Sequence, residues 1–241
     1  MTQHAIIFGA TGGIGRALTD LLLEKGWAVT AVGRDADKLD ELAGAVTKIV
    51  ADATQVDGAA KAFESATSDE HPVTACVNCI GNLFLKPIHR TTAKEFTEVM
   101  RIHVFSSFSI LQAAVKQMKA GDSVALMSSA AARTGMVNHE SIAAAKGAVE
   151  GLTRAAAASY APKGIRINAV APGLTETPMT RHLTSGPARS VSENMHALGR
   201  LGKAEDIASA LAWLIDPAQS WVTGELIHVD GGLAHLRGMG K

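Results

Sequence analysis

Gly9-Ala10-Thr11-Gly12-Gly13-Ile14-Gly15 is the stretch on which the fold turns. The apolar run His4 to Phe8 precedes it, and a segment carrying Leu18, Leu21, Leu22 and Leu23 at helical spacing follows. The glycines therefore fall between an expected first strand and an expected first helix. At such a junction glycine lets the chain turn sharply and lets backbone N–H groups approach a pyrophosphate, which rests at the positive end of the helix. A glycine loop alone says little, but flanked in this way it points to a dinucleotide site with Gly9, Thr11, Gly12, Gly13, Ile14 and Gly15 as candidate contacts.

Outward from that loop, short runs rich in Val and Ile alternate with longer segments of helical period, the pattern of parallel strands joined by crossover helices. Strands are expected near 4–8, 28–32, 47–51, 74–77, 123–127, 165–170 and 225–228, and helices near 13–25, 35–43, 56–66, 93–118, 140–160 and 204–215. The expectation is an α/β fold, a single-domain doubly wound parallel sheet of about seven strands (Rossmann-type), with no repeat or linker dividing residues 1–241. The irregular stretch is 174–200, where Pro178, Gly186, Pro187 and Gly199 break any period. A loop of that length inside a compact domain is usually functional, so it reads as a substrate lid, with a disordered surface insertion as the alternative.

The chain's 241 residues, 47% of them hydrophobic, can bury a core without disulfides or a structural metal. Basic and acidic residues number 23 each and form no run, which excludes a nucleic-acid or anionic-membrane footprint and leaves a small-molecule partner. Two cysteines are poor material for a secreted framework and suit a reducing compartment. Cys76 and Cys79 have Cys-x-x-Cys spacing, but residues three apart on a strand point to opposite faces, and two thiols do not close a zinc site. Two small buried residues are expected there, and no metal site is expected in the chain. No leader pattern precedes His4 and no uncharged window of ~20 residues occurs, so a soluble cytoplasmic chain without a membrane span is expected.

The second strand is followed by Gly33-Arg34, where a dinucleotide fold discriminates the adenosine ribose. An Asp there would accept from the 2′-hydroxyl, whereas a small residue followed by Arg leaves room for a 2′-phosphate and a cation to pair with it. NADP(H) is therefore favoured over NAD(H), unless Arg34 is simply a solvated residue at a helix start.

Together these residues resemble the short-chain dehydrogenase/reductase family. Gly9, Gly13 and Gly15 match its glycine motif, although Phe8 stands where the family usually has Thr. Asp52, with Ala53 beside it, matches the position that contacts the adenine, and Asn78-Cys79-Ile80-Gly81 is similar to the family's Asn-Asn-Ala-Gly. The segment Asn168 to Gly173 resembles the one flanking the nicotinamide, which implies Pro172, Gly173, Thr175 and Thr177 as contacts. Gly199-Arg200-Leu201-Gly202 and Val229-Asp230-Gly231-Gly232 are also family-like. The resemblance further implies a homo-oligomer, a dimer or tetramer, paired through the long helices near 93–118 and 140–160.

In the family an Asn, a Ser, a Tyr and a Lys carry the chemistry. The Tyr lies four residues before the Lys, so both project from one helix face, and the phenol protonates the substrate oxygen as hydride arrives. The matching positions here are His103, Ser129, Ile142 and Lys146. Isoleucine has no proton to give. Tyr160, the chain's single tyrosine, is ~27 Å along the same helix. Loss of a general acid costs ~10²–10⁴ in rate, whereas alignment of the reactants contributes ~7–11 kcal/mol by itself, so slower or different chemistry is implied. His103 and the pair His139-Glu140 are candidate proton donors, against the plainer readings of a packed helix residue and an exposed loop. Lys146 could equally serve the cofactor ribose alone. The functional expectation is an NADP(H)-dependent oxidoreductase with an altered active site, transferring hydride to a small carbonyl, conjugated alkene or imine. The alternative is a cofactor-binding, non-catalytic protein, a sensor or partner subunit; a non-redox enzyme reusing Ser129 and His103 ranks third.

Overall fold

The structure is a computed structural model and describes residues 2–236. The Val- and Ile-rich runs form β1 (His4–Phe8), β2 (Ala28–Gly33), β3 (Val46–Val50), β4 (Ala75–Asn78), β5 (Ser123–Met127) and β6 (Arg166–Pro172). Two short strands, β7 (Thr175–Glu176) and β8 (Gly202–Lys203), pair with each other, and β9 (Leu226–Val229) returns to the main sheet. That sheet has seven strands in the order β3-β2-β1-β4-β5-β6-β9, and every pairing is parallel.

Parallel strands need helical crossovers, and these cover both faces. The helices are α1 (Gly13–Glu24), α2 (Ala36–Asp40), α3 (Gly58–Ala66), α4 (Ala93–Met100), α5 (Ser106–Gln117), α6 (Glu140–Tyr160), α7 (Pro187–Met195) and α8 (Ala204–Ile215). Alternation along each strand divides the core in two. Ile6, Phe8, Cys76 and Val124 pack with Phe63, Ile110 and Val149 of α3, α5 and α6. Ile7, Val77 and Ala125 pack with Leu18, Leu22, Ile207 and Leu211 of α1 and α8. Cys76 belongs to the first core and Cys79 borders the second, so the two thiols are free and on opposite sides, as strand geometry requires.

β1 lies between β2 and β4, the point where the strand order reverses, and a doubly wound sheet opens a crevice at the carboxyl ends of its strands there. The observed strands and crossover helices follow the sequence expectation, except that α2 spans only Ala36–Asp40 of the expected 35–43, and with two larger differences. The run expected as one helix over 93–118 contains a π-helical turn, Arg101–Phe105, between α4 and α5. Its carbonyls are met by side chains: Ser106 and Ser107 donate to the carbonyls of Ile102 and His103 at 2.5 and 2.7 Å. The stretch 174–200 contains β7, a 3₁₀ turn at Pro178–Thr180 and α7, rather than irregular chain alone. Gly186-Pro187, read as period breakers, open α7, with proline in the first helical turn where its missing N–H does no harm. Among the described residues no helix is long and apolar enough to cross a membrane.

Candidate active site

The glycine loop lies across the crevice. Gly9 takes φ +77° and its N–H donates to Val32 O at 2.9 Å, bending the chain from β1 over the end of β2. A Cβ on Gly15 would fall 2.3 Å from Gly9 O, so no other residue lets α1 come this close to the loop. The N-cap, Gly12, offers no side chain to the first-turn amides, and that turn carries no acidic residue. An electropositive helix end with uncommitted amides fits a pyrophosphate.

A cavity of about 670 Å³ opens beside it. Thr11, Gly12, Gly13, Ile14 and Gly15 form one wall, and Gly81, His103, Ser129, Ile142, Lys146, Pro172, Gly173, Thr175 and Thr177 all contribute to the rest. A smaller cleft, lined by Gly9, Gly33, Arg34 and Asp52, adjoins the loop at the ends of β1, β2 and β3. Asp52 accepts from the N–H and hydroxyl of Thr54; burial works to raise its pKa, but these bonds and the Arg34 charge prevail and hold it below the ordinary value. Among the described residues Arg34 makes no ion pair, which leaves its guanidinium available at this cleft.

Two expected contacts line neither space. Ala53 is buried in the core with Phe63. Asn78 acts behind the wall: its Nδ2 donates to Ser107 Oγ at 3.0 Å and its Oδ1 accepts from Ile80 N at 2.9 Å, tying the end of β4 to the π turn.

The polar centre follows from four elements. Ser129 follows β5; its Oγ accepts from Ala131 N at 3.2 Å, and among the described residues its hydroxyl hydrogen meets no acceptor. Ile142, 6% exposed, lies one turn before Lys146 on α6 and presents an aliphatic surface to the cavity. Lys146 Nζ donates to Met127 O at 2.8 Å, and burial lowers its pKa to about 8, with Cys79 acting in the opposite sense. The Cys79 thiol is pushed up to about 12 by burial, so it is neutral. His103 is carried inward by the π turn, and its Nε2 donates to Asn82 Oδ1 at 2.9 Å. Among the described residues its buried Nδ1 has no hydrogen-bond partner. Burial, and then the Lys146 charge, drive its pKa down to about 2, so this imidazole is neutral and presents a lone pair. His139 caps α6, half-buried at the cavity wall, while Glu140 is exposed. Tyr160 closes the far end of α6, packed against the core, with Lys163 Nζ 5.3 Å above its ring.

Sequence reasoning missed the rest of the wall. Leu83, Leu85, Met136, Met179, Leu183 and Met195 make it mainly apolar; they come from loops and from the segment 174–200 and follow no period that would single them out. It also missed His196, whose Nδ1 donates to Ser192 O and whose Nε2 accepts from Leu174 N at 3.2 Å, fastening the end of α7 to the chain just after β6. Glu150 was legible in principle, four residues after Lys146. It is buried, accepts from Ser128 Oγ at 3.1 Å and Arg133 Nε at 2.9 Å, and braces the segment that carries Ser129.

Residues 9–234 match a family model described as enoyl-(acyl carrier protein) reductase. The chain is 31% identical over 235 residues to a 3-oxoacyl-(acyl-carrier-protein) reductase of Vibrio cholerae, covering 95% of this chain and 96% of that one. It is 34% identical over 245 residues to the cis-4-hydroxycyclohexanecarboxylate dehydrogenase of Sinomonas cyclohexanicum, covering 95% of each. A short-chain type dehydrogenase/reductase from Mycobacterium ulcerans superposes with TM-score 0.92 at 28% identity, over 98% of this chain and 91% of that one. With the crevice, the glycine loop and matches that span nearly the whole length, the chain belongs to the short-chain dehydrogenase/reductase family of oxidoreductases.

Proposed function

We propose that this protein is an NADP(H)-dependent reductase of a small, largely apolar carbonyl, conjugated alkene or imine, in which Lys146 supplies the proton that a phenol gives elsewhere in the family. The observation that carries the reading is the joining, in one cavity, of the glycine cradle to a lysine whose pKa is lowered to about 8 beside an aliphatic Ile142. An ammonium of that acidity is a competent general acid near neutral pH. Ser129, whose hydroxyl hydrogen meets no acceptor among the described residues, would orient the substrate oxygen or nitrogen. His103 is unsuited to be the donor, because its one N–H is committed to Asn82 and it stays neutral; its Nδ1 can instead accept from Lys146 or a bridging water. NADP(H), when bound, supplies the hydride. The choice of the phosphorylated cofactor rests on Gly33-Arg34 and the small cleft they line with Asp52. The same reading has the protein working in a reducing, cytoplasmic setting, where its two unpaired thiols persist, and as a dimer or tetramer through α4, α5 and α6, where Phe96, Phe105 and Phe108 are exposed.

Ile142 also favours a second reading, a protein that binds the cofactor without turning it over. The test is to titrate NADPH and NADH, then assay ketones, enones and imines with wild type, Lys146→Met and Ile142→Tyr. Wild-type turnover of at least one class, falling by ~10²-fold or more in Lys146→Met, is expected. Failure of wild type on every class, with ketone reduction appearing only in Ile142→Tyr, would assign the non-catalytic role.

A further inference from the structure

Beyond the cavity, the chain leaves β9 through a turn that gathers three donors the chemistry above does not use. His228, in β9, and Asp230, just past its end, bring their side-chain donor atoms together. Gly231 and Gly232 then take φ +58° and +87°, and the chain doubles back to place His235 edge-on against His228, ring centroids 4.3 Å apart. Asp230 is buried and its carboxylate is fixed by backbone donors, Gly232 N to Oδ1 and Ala234 N to Oδ2, each at 2.9 Å. Carboxylate ligands oriented by a second set of hydrogen bonds are the rule at metal centres.

Among the described residues the buried Nδ1 of His228 has no hydrogen-bond partner. Asp230 Oδ2 is 3.6 Å away, too far for a hydrogen bond. Two donors that share one tetrahedral cation, each bonded at ~2.0–2.1 Å, stand about 3.3 Å apart. His235 supplies the third donor atom, and all three lie within 4.8 Å of one another. The geometry points to a divalent transition-metal site at His228, Asp230 and His235, zinc foremost, with a fourth position left to water. Two imidazoles and one carboxylate suit zinc, whereas magnesium and calcium ask for an all-oxygen shell. An uncompensated buried ring nitrogen is rare in a folded protein, and a metal bond would account for this one. Glu150 and Arg133 also act on His228 through space, with opposite signs.

Such an ion would clamp the turn at 230–236 to β9. That turn meets the foot of the lid, where Leu198 N donates to Gly231 O at 3.0 Å, and its Leu233 reaches the cavity wall. The metal would thus act as a structural pin beside the substrate space, with no part in hydride transfer.

The test uses tag-free, chelator-treated full-length protein, titrated calorimetrically with ZnCl₂, with a parallel Co²⁺ titration followed by visible absorption. One equivalent per chain, tetrahedral Co²⁺ bands, and a rise in Tm of about 5–10 °C at hundredfold excess over Kd are expected. His235→Ala, at an exposed position that does not endanger folding, and His228→Gln should each weaken binding at least tenfold. Absence of a one-equivalent isotherm, binding unchanged in both variants, or Mg²⁺ binding as tightly as Zn²⁺ would each overturn the assignment.

Discussion

Lys146 is the residue whose perturbation discriminates most sharply. Burial moves its pKa from 10.5 to about 8, so below that pH the folded protein carries a charge it would rather shed. At roughly 1.36 kcal/mol per pH unit, the penalty is on the order of 3 kcal/mol at pH 7. The folded pKa is depressed, so between about 8 and 10.5 the unfolded chain binds more protons than the folded one, and stability attributable to this group rises with pH across that window. Lys146→Met removes the effect. The cofactor-free variant should be more stable than wild type at pH 7, and the gap should close by about 2 kcal/mol by pH 9.5. Urea denaturation of both proteins at the two pH values measures this, and other titrating groups cancel in the difference. A gap that stays constant with pH would refute the perturbed lysine and, with it, the reason for giving Lys146 the role of acid.

Three further outcomes follow from the same geometry. With an enone or imine substrate, kcat/KM for reduction should decline above about pH 8 as Lys146 loses its proton; a profile flat to pH 10 would point to water as the donor. Arg34→Ala should raise the Kd for NADPH at least tenfold while changing that for NADH little, read by cofactor fluorescence, because only the former carries the 2′-phosphate. Gly15→Ala drives a methyl group into Gly9 O, and should lower stability by roughly 1–3 kcal/mol and reduce NADPH binding in proportion to the displaced loop, both measurable in one denaturation series with and without cofactor.

The fold was legible because its signals are local. Each buried parallel strand is a short apolar run, and the glycine loop announces its own place between β1 and α1. Ser129, Ile142 and Lys146 were legible as a set only through the family resemblance, which assigns them positions at the end of β5 and on α6. What escaped is what tertiary structure alone creates. The apolar lining comes from loops that share no period, and Asn78 looked like a contact but serves as a brace, because its amide is spent on Ser107 and Ile80. The charge state of His103 also escaped, since a residue's type does not reveal that it will be buried beside a lysine. The cluster at His228, Asp230 and His235 follows no spacing motif either; only a turn with two glycines at positive φ brings these imidazoles together.

The π turn between α4 and α5 has a bearing on which sequence changes this protein can tolerate. A π turn amounts to one surplus residue in an α-helix, and each residue advances the helix by about 100°. Deleting a single codon within 101–105 would let the backbone relax to ordinary winding, but at the expense of register. Either His103 rotates away from Lys146, or Ile110, Ala113 and Ala114 lose their alignment with the sheet core. A one-residue deletion here therefore forces a choice between the geometry of the cavity wall and the packing of the core.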